Sequence, residues 1–351
     1  MVNVKLEKKS GIVDIIHSQL TPFVKKIDQE AFYAKHYLQI LGEEGFFRTE
    51  NNREAESILK RVGIVEETAK VCMTTAFCVW CHLAVMTYIE NCSNALLKKR
   101  ILPRLESGEL IAGTGLSNPL KTFSKLEKIH LHAKKTDGGY RINGALPAVS
   151  NIGPDQAFAA IARLDGKYLM FFVPCSARGL SLKERKSYFG MNGSATYACK
   201  FNDVFVPEAD VIARDAESFV QSIRTVFVAY QIPLGFGVTA SSIGTIEKIS
   251  NKEKRINKYI GTQAADLIAR YDIIRKSLIK QTRGKCDCWD EIVKLRLDTV
   301  YLTLDATQAA MIHSGGAGYL KTSLVARKLR EAYFLVNLTP TVKHLEKMKH
   351  E

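Results

Sequence analysis

The sequence predicts an α+β multidomain protein with an N-terminal all-helical domain, a central small antiparallel β-barrel and a C-terminal four-helix bundle. Three observations predict it. Apolar residues recur at helical spacing from Ile12 to about Arg104, short alternating or continuous apolar runs replace that pattern after Gly108, and helical periodicity returns from about Ala216 onward. The expected domains are 1–110, 111–213 and 214–351. A chain of 351 residues is long enough to give two or three such units their own cores.

In the first unit, Leu41-Gly42-Glu43-Glu44-Gly45 and Thr49-Glu50-Asn51-Asn52 read as turns between helices. Ser93 is the expected N-cap of a short helix through Leu96, Leu97, Ile101 and Leu102, and Pro103 sits badly for its continuation. The strands expected next are Ile129–Ala133, Tyr140–Asn143, Ala157–Ala162, Tyr168–Val173 and Ala198–Val206. Asp137-Gly138 suits a hairpin, because glycine tolerates the positive φ of such a turn. Long amphipathic segments around Phe219–Ile249, Gln263–Thr282, Trp289–Ser314 and Ser323–Val336 argue for an antiparallel bundle.

The basic N-terminus has no apolar core of a signal peptide, and no stretch reaches the roughly 18 apolar residues of a membrane span, so no span and a cytoplasmic location are expected. The eight cysteines are irregularly spaced, which favours reduced thiols over a disulfide framework. The net charge of +14 is scattered and lacks the interleaved aromatics of an RNA-binding sheet; no nucleic-acid partner is expected, and an anionic ligand suits the charge equally well.

Several local strings then agree in order. Leu41-Gly42-Glu43-Glu44-Gly45-Phe46, Arg100 to Glu109 with Leu102-Pro103 and Gly108-Glu109, and Gly115-Leu116-Ser117-Asn118-Pro119 come first. Gly139 to Gly144, the strand from Gly190 through Ser194 to Val206-Pro207, and Gly315-Gly316-Ala317-Gly318-Tyr319 with Arg327 and Arg330 follow. Over about residues 20–345 this pattern resembles the acyl-CoA dehydrogenase superfamily. The resemblance implies an FAD between barrel and bundle, a thioester substrate stacked on its ring, and a homo-oligomer, a dimer or tetramer. It also implies that Leu116, Ser117 and Ser150 border the flavin ring, and that Arg255, Gln263, Gly315, Gly316 and Thr341 serve its pyrophosphate and adenine end.

The family's α-proton abstraction needs a carboxylate base. Its usual position falls on Thr339 in Leu338-Thr339-Pro340-Thr341, and the stretch from Phe219 to Ile246, which holds the alternative position, contains no Asp or Glu. No catalytic residue is therefore assigned. The ring-covering tryptophan corresponds to Ala148, the adenine-side glutamine to Ile312, and the substrate-side arginine to about Val226, with Arg224 nearby.

Three readings follow. The chain is a flavin-dependent oxidoreductase of atypical or monooxygenase type, using FAD, FMN or reduced flavin with a reductase partner on a small molecule; or a true acyl-CoA dehydrogenase whose base comes from elsewhere or from a paralogous subunit; or a flavin-free scaffold or partner subunit.

Other features have plainer readings. Cys78-Val79-Trp80-Cys81-His82 matches the c-type haem attachment string, yet it lies in the apolar run Thr74–Met86, where buried structural cysteines are expected. Cys286-Asp287-Cys288 is too small a set for a metal and reads as a loop, so no metal is assigned. The glycines at 315–318 read equally as a helix-ending turn or a phosphate cradle. His313 and His344 are expected as solvated or capping residues, with acid or base roles as the alternative.

Overall fold

The computed structural model describes residues 11–49, 54–185, 187–252, 256–283 and 288–350. Helices, then strands, then helices is the order observed. The first group is α1 (Ile12–Ile15), α2 (Val24–Gln29), α3 (Lys35–Glu43), α4 (Glu54–Val71), α5 (Met73–Asn91) and α6 (Ala95–Glu106). Every residue of α5 from Met73 to Ile89 is buried, so this helix is packed on all sides and runs through the core.

Asn94 rather than Ser93 caps α6, because its side chain accepts the Leu97 N–H at 3.0 Å. Pro103 lies within α6 instead of ending it. Leu97, Ile101 and Leu105 are buried along one face, and that stripe outweighs the single backbone bond that Pro103 cannot make.

The sheet contains β1 (Ala112–Thr114), β2 (Leu131–Thr136), β3 (Gly139–Val149), β4 (Ala157–Leu164), β5 (Lys167–Pro174), β6 (Leu180–Glu184), β7 (Tyr197–Pro207) and β8 (Val211–Ala213), with α7 (Ser117–Phe123) between β1 and β2. Its order is β6-β7-β3-β2-β4-β5-β8, with β1 beside β4. It is mixed rather than wholly antiparallel: β1 and β2 both run parallel to β4. Helix α7 returns the chain between β1 and β2, as two strands of like direction require. The first six residues of β4 are all buried, which explains their unbroken apolar run. Thr136 pairs with Gly139 across a two-residue turn in which Gly138 has φ +70°, as its sequence demands.

The last group is α8 (Ala216–Ala229), α9 (Ile232–Lys252), α10 (Ala264–Arg283), α11 (Trp289–Gly318), α12 (Leu324–Asn337) and α13 (Val342–His350). The single helix expected over Phe219–Ile249 is two, parted at Tyr230-Gln231, where Pro233 in the first turn of α9 lacks the N–H to continue the ladder. The run Ala216–Ser250 is apolar and long enough to cross a membrane, but it is mostly buried inside the fold, as a core helix is. Helix α9 packs so closely on α4 that a Cβ at Gly237 would lie 2.5 Å from the Cβ of Ala69.

Candidate functional site

A cleft opens where α5, the β1–α7 junction, the end of β3, α8 and the α12–α13 turn converge. Its inner compartment, about 190 Å³, is lined by Phe77, Trp80 and Cys81 of α5, Thr114, Leu116, Ser117 and Leu120, Ala148 and Ser150 of the β3 end, Phe227 of α8, and Phe334 to Thr339 in part. An outer compartment of about 350 Å³ shares Ala148, Ser150, Phe334 and Asn337 with it and adds Tyr188, Phe189, Gly190, Met191, Ser194, Thr196, Arg330 and Tyr333. Ala148 borders both compartments, so a side chain no larger than methyl stands where they meet.

The polar groups of the cleft are paired hydroxyls. Ser117 Oγ and Thr339 Oγ1 are 2.9 Å apart across the junction of α7 and the α12–α13 turn. Ser150 Oγ meets Thr196 Oγ1 at 2.7 Å, and Thr196 meets Ser194 at 2.8 Å, forming a row along the sheet side. Tyr88 and Thr114 share a hydrogen bond of 2.9 Å.

The Thr339 turn is fixed from behind. Gln231 Nε2 donates to the Thr339 carbonyl at 2.9 Å, and Arg296 donates from Nε to Gln231 Oε1 and from Nη2 to the Leu335 carbonyl, each at 3.0 Å. Arg296 is fully buried, and its Nη1 has no hydrogen-bond partner.

No aspartate or glutamate lines either compartment among the described residues. Arg330 is held by Asp28 through two hydrogen bonds of 2.8 and 2.6 Å, which offsets its charge. Burial raises the Cys81 thiol well above its ordinary range, so it faces the cleft as a neutral thiol rather than a thiolate.

The structure therefore brings Leu116, Ser117, Ser150 and Thr339 together around one cavity. It places Gln263, Gly315, Gly316 and Thr341 elsewhere. The Gln263 amide donates to the carbonyls of Asn257 and Ile260. Gly315 forms the kink of α11 with φ 52°, and a Cβ on it or on Gly316 would meet nothing within 4 Å. Thr341 Oγ1 accepts the His344 N–H at 3.3 Å and so serves the first turn of α13. Arg255 lies outside the described residues, as do Cys286 and Asp287. Arg224 stands over the Trp289 ring at 4.3 Å.

His313 and His344 are buried, at 3% and 1% exposure, contrary to the solvated placement expected of them. His313 Nε2 bonds the Thr262 carbonyl and His344 Nε2 the Ser124 hydroxyl, which ties loops to the bundle. The Cys78–His82 string is core: Cys78 Sγ contacts the Ser194 carbonyl at 3.7 Å, and both ring nitrogens of His82 are taken by the backbone of Leu105 and Ala112.

Sequence reasoning missed the aromatic wall of Phe77, Trp80, Phe227 and Phe334, together with Gln231 and Arg296. A trace of the last two was present. Gln231 interrupts an apolar run from Phe227 to Phe236, and Arg296 lies between Leu295 and Leu297 in a helix whose neighbouring turns are apolar.

Residues 9–109 match the family described as Acyl-CoA dehydrogenase, N-terminal domain. The chain is 23% identical to a short-chain-specific acyl-CoA dehydrogenase of Clostridium acetobutylicum, covering 91% of this chain and 89% of that protein. The structure of glutaryl-coenzyme A dehydrogenase with glutaryl-CoA is similar at TM-score 0.88 and 17% identity, covering 97% of this chain and 92% of that one. Butyryl-CoA dehydrogenase from Megasphaera elsdenii is similar at TM-score 0.85 and 18% identity, covering 97% and 95%.

Proposed function

Because the chain belongs to the acyl-CoA dehydrogenase superfamily, we propose that it is a flavin-binding oxidoreductase that works without a carboxylate base. The observation that carries this reading is a cleft lined by hydroxyls and aromatic rings with no aspartate or glutamate among its described residues. A threonine hydroxyl is far too weakly basic to remove an α-proton near neutral pH, so the dehydrogenation performed with a glutamate has no agent here.

The residues of the cleft fit a planar ring. The outer compartment, at about 350 Å³, falls within the usual range of small-molecule sites, about 300–1,000 Å³. Ser150 supplies a hydroxyl where the two compartments meet, Ser117 supplies one in the inner compartment, and Ala148, which borders both, leaves the ring's face uncovered. A bound flavin would supply hydride or oxygen chemistry. The chain's own part is to hold the ring edge through Leu116, Ser117 and Ser150, to exclude water with Phe77, Trp80, Phe227 and Phe334, and to present the Thr339 hydroxyl to the substrate. FAD, FMN and reduced flavin all meet these requirements.

The test is the visible spectrum of the purified protein before and after adding FAD, FMN or reduced flavin. Retained flavin bands after gel filtration are expected. Their absence under every condition would sink this reading.

A flavin-free partner subunit is the second reading, and two observations favour it. Gln263 is engaged with its own loop rather than free for a nucleotide. The Ser117–Thr339 hydrogen bond must also break before anything enters between those two groups.

Assembly into a dimer or tetramer is supported by Ile312, Tyr319, Leu320 and Leu324, exposed together around the α11 kink. Native mass spectrometry is expected to give a multiple of the 39.2 kDa chain; a monomer alone would overturn that expectation.

A further inference from the structure

Cations that lie far apart along the chain are gathered by the sheet. In β3 the buried Tyr140, Ile142 and Leu146 interleave with the exposed Arg141, Asn143 and Ala145, so one face packs on the core and the other meets solvent. Strand register carries that outer face across its neighbours. Arg141 stands opposite Lys134 of β2 and Phe205 of β7, Ala145 stands opposite Lys200 of β7, and His132 of β2 stands opposite Arg163 of β4. Lys183 of β6 lies diagonally beside Lys200.

Arg141, Lys134, Lys200, Arg163 and Lys183 thus share one surface, and all are exposed. Asp203 answers Arg141 at 3.2 Å, whereas Lys134, Arg163, Lys183 and Lys200 have no ion pair among the described residues. Other surface cations do find carboxylates within the chain, as in Lys121–Glu127, Arg270–Asp305 and Lys294–Asp298. Like charges directly opposite across a ladder repel, so Lys134 facing Arg141 costs the fold stability that an external anion would restore.

The extent of the surface decides the class of anion. From Lys183 on β6 to Arg163 on β4 it crosses the strands β6-β7-β3-β2-β4, about 19 Å at the usual interstrand spacing. One phosphate or carboxylate cannot touch both ends, and a surface carrying several carboxylates can. Phe205, 38% exposed, lies near the middle with the Arg141 guanidinium 5.3 Å from its ring centroid, an arginine–aromatic pair of the kind that anchors protein interfaces. A nucleic-acid strand wants a succession of aromatic platforms, and a bilayer wants apolar side chains free to insert, whereas Arg141 covers Phe205.

We propose that the outer face of the sheet is a docking surface for an acidic protein, with Lys134, Arg163, Lys183 and Lys200 meeting its carboxylates around a central Phe205–Arg141 anchor. It lies on solvent-facing strand positions outside the cleft and stands or falls independently of flavin binding.

The experiment measures binding of the full chain to labelled poly-L-glutamate by fluorescence anisotropy, with phosphatidylserine vesicles and single-stranded DNA as parallel probes. The face variant is Lys134→Glu/Arg163→Glu/Lys200→Glu. The control is Lys248→Glu/Lys276→Glu/Lys280→Glu, which makes the same change of net charge at exposed positions on α9 and α10.

The face variant is expected to weaken poly-L-glutamate binding at least about tenfold, the sum of three exposed ion pairs lost. The control should weaken it less than about threefold, because screening confines its effect to its own surroundings. Lys134→Glu alone should raise the melting temperature, since a carboxylate then faces Arg141. If the glutamate variant does not fold, Lys134→Gln/Arg163→Gln/Lys200→Gln carries the binding test. The proposal is overturned if wild type does not bind poly-L-glutamate, if face and control variants lose binding equally, or if a loss specific to the face appears with vesicles or DNA and not with poly-L-glutamate. A melting temperature lowered by Lys134→Glu would also overturn it, by removing the repulsion on which it rests.

Discussion

Lys328 and Glu331 are each about as buried as a charged side chain can be, at 1% and 2% exposure, and they sustain one another. Lys328 Nζ lies 2.8 Å from Glu331 Oε2 and donates to the Ala69 carbonyl at 2.7 Å, while Glu331 Oε1 accepts the Met73 N–H at 3.2 Å. Together they tie α12 to the α4–α5 junction. Glu331 Oε1 also accepts from Arg327 Nη1 at 3.1 Å, so removing Lys328 leaves Glu331 with one of its two buried cations, while removing Glu331 leaves Lys328 without its carboxylate. Glu331→Leu, which strands the buried Lys328 ammonium, is therefore expected to destabilise the fold by about 3–5 kcal/mol, and Lys328→Met by less, read from the urea midpoint. The double variant Lys328→Met/Glu331→Leu should cost clearly less than the sum of the two single changes, because the two residues share one interaction. Simple additivity would show that the pair is not coupled. At the cleft, the same scale of argument explains why Thr339 has a fixed place: Gln231 and Arg296 hold the carbonyls at both ends of the Leu335–Thr339 segment.

Between elements, His82 links α5 to the end of α6 and to β1. Its Nδ1 accepts the Ala112 N–H at 3.3 Å, so Nε2 carries the proton and donates to the Leu105 carbonyl at 3.0 Å. Burial pushes this imidazole down to about 4, below its ordinary value of 6.5. The unfolded chain then binds the extra proton first, so this contribution is complete above pH 6.5 and is lost as the pH falls toward 4. At pH 5 the loss is about 2 kcal/mol relative to pH 7. Comparing denaturant midpoints at pH 7 and 5 for wild type and His82→Gln checks it, since glutamine keeps a donor and an acceptor but cannot titrate. An equal pH slope in both proteins would refute the assignment. The α4–α9 contact makes a second prediction at this scale. Gly237→Ala should cost about 1–3 kcal/mol by overpacking against Ala69, seen as a lowered melting temperature.

For the whole molecule, a ligand held in the cleft between sheet and helices stabilises both together, since it binds only when they are assembled. Adding FAD at about 100 times its dissociation constant is expected to stabilise the protein by about 2.7 kcal/mol, with a melting temperature that keeps rising with FAD concentration. A melting temperature indifferent to FAD, FMN and reduced flavin would favour the flavin-free partner subunit. The order of elements explains how such a cleft arises. The central sheet stands between two helical groups, and α5 passes through the core where α8 and the short turn Asn192–Ser194 before β7 meet it.

Much of this architecture was legible in the sequence because helix and strand periodicity are local. The helical start, the strands at 157–174 and 197–207, the Asp137-Gly138 hairpin and the bundle helices follow from spacing and turn residues alone. Leu116, Ser117, Ser150 and Thr339 were found through ordered short strings rather than through periodicity, and all four border one cavity. The short strands β1, β6 and β8 escaped because three to five residues carry too little pattern to stand out. The direction of β1 and β2 was decided by the crossover through α7, and the break at Tyr230-Gln231 by backbone hydrogen bonding around Pro233. The sequence by itself determined the kinds of elements, their order and the absence of a carboxylate at the Thr339 turn. Only the tertiary structure decided that Phe77, Trp80, Phe227 and Phe334 line one compartment of the cleft, and that Gln231 and Arg296 secure its turn. Those residues lie up to about 260 positions apart, and contact between them is set by how whole helices pack rather than by any pattern along the chain.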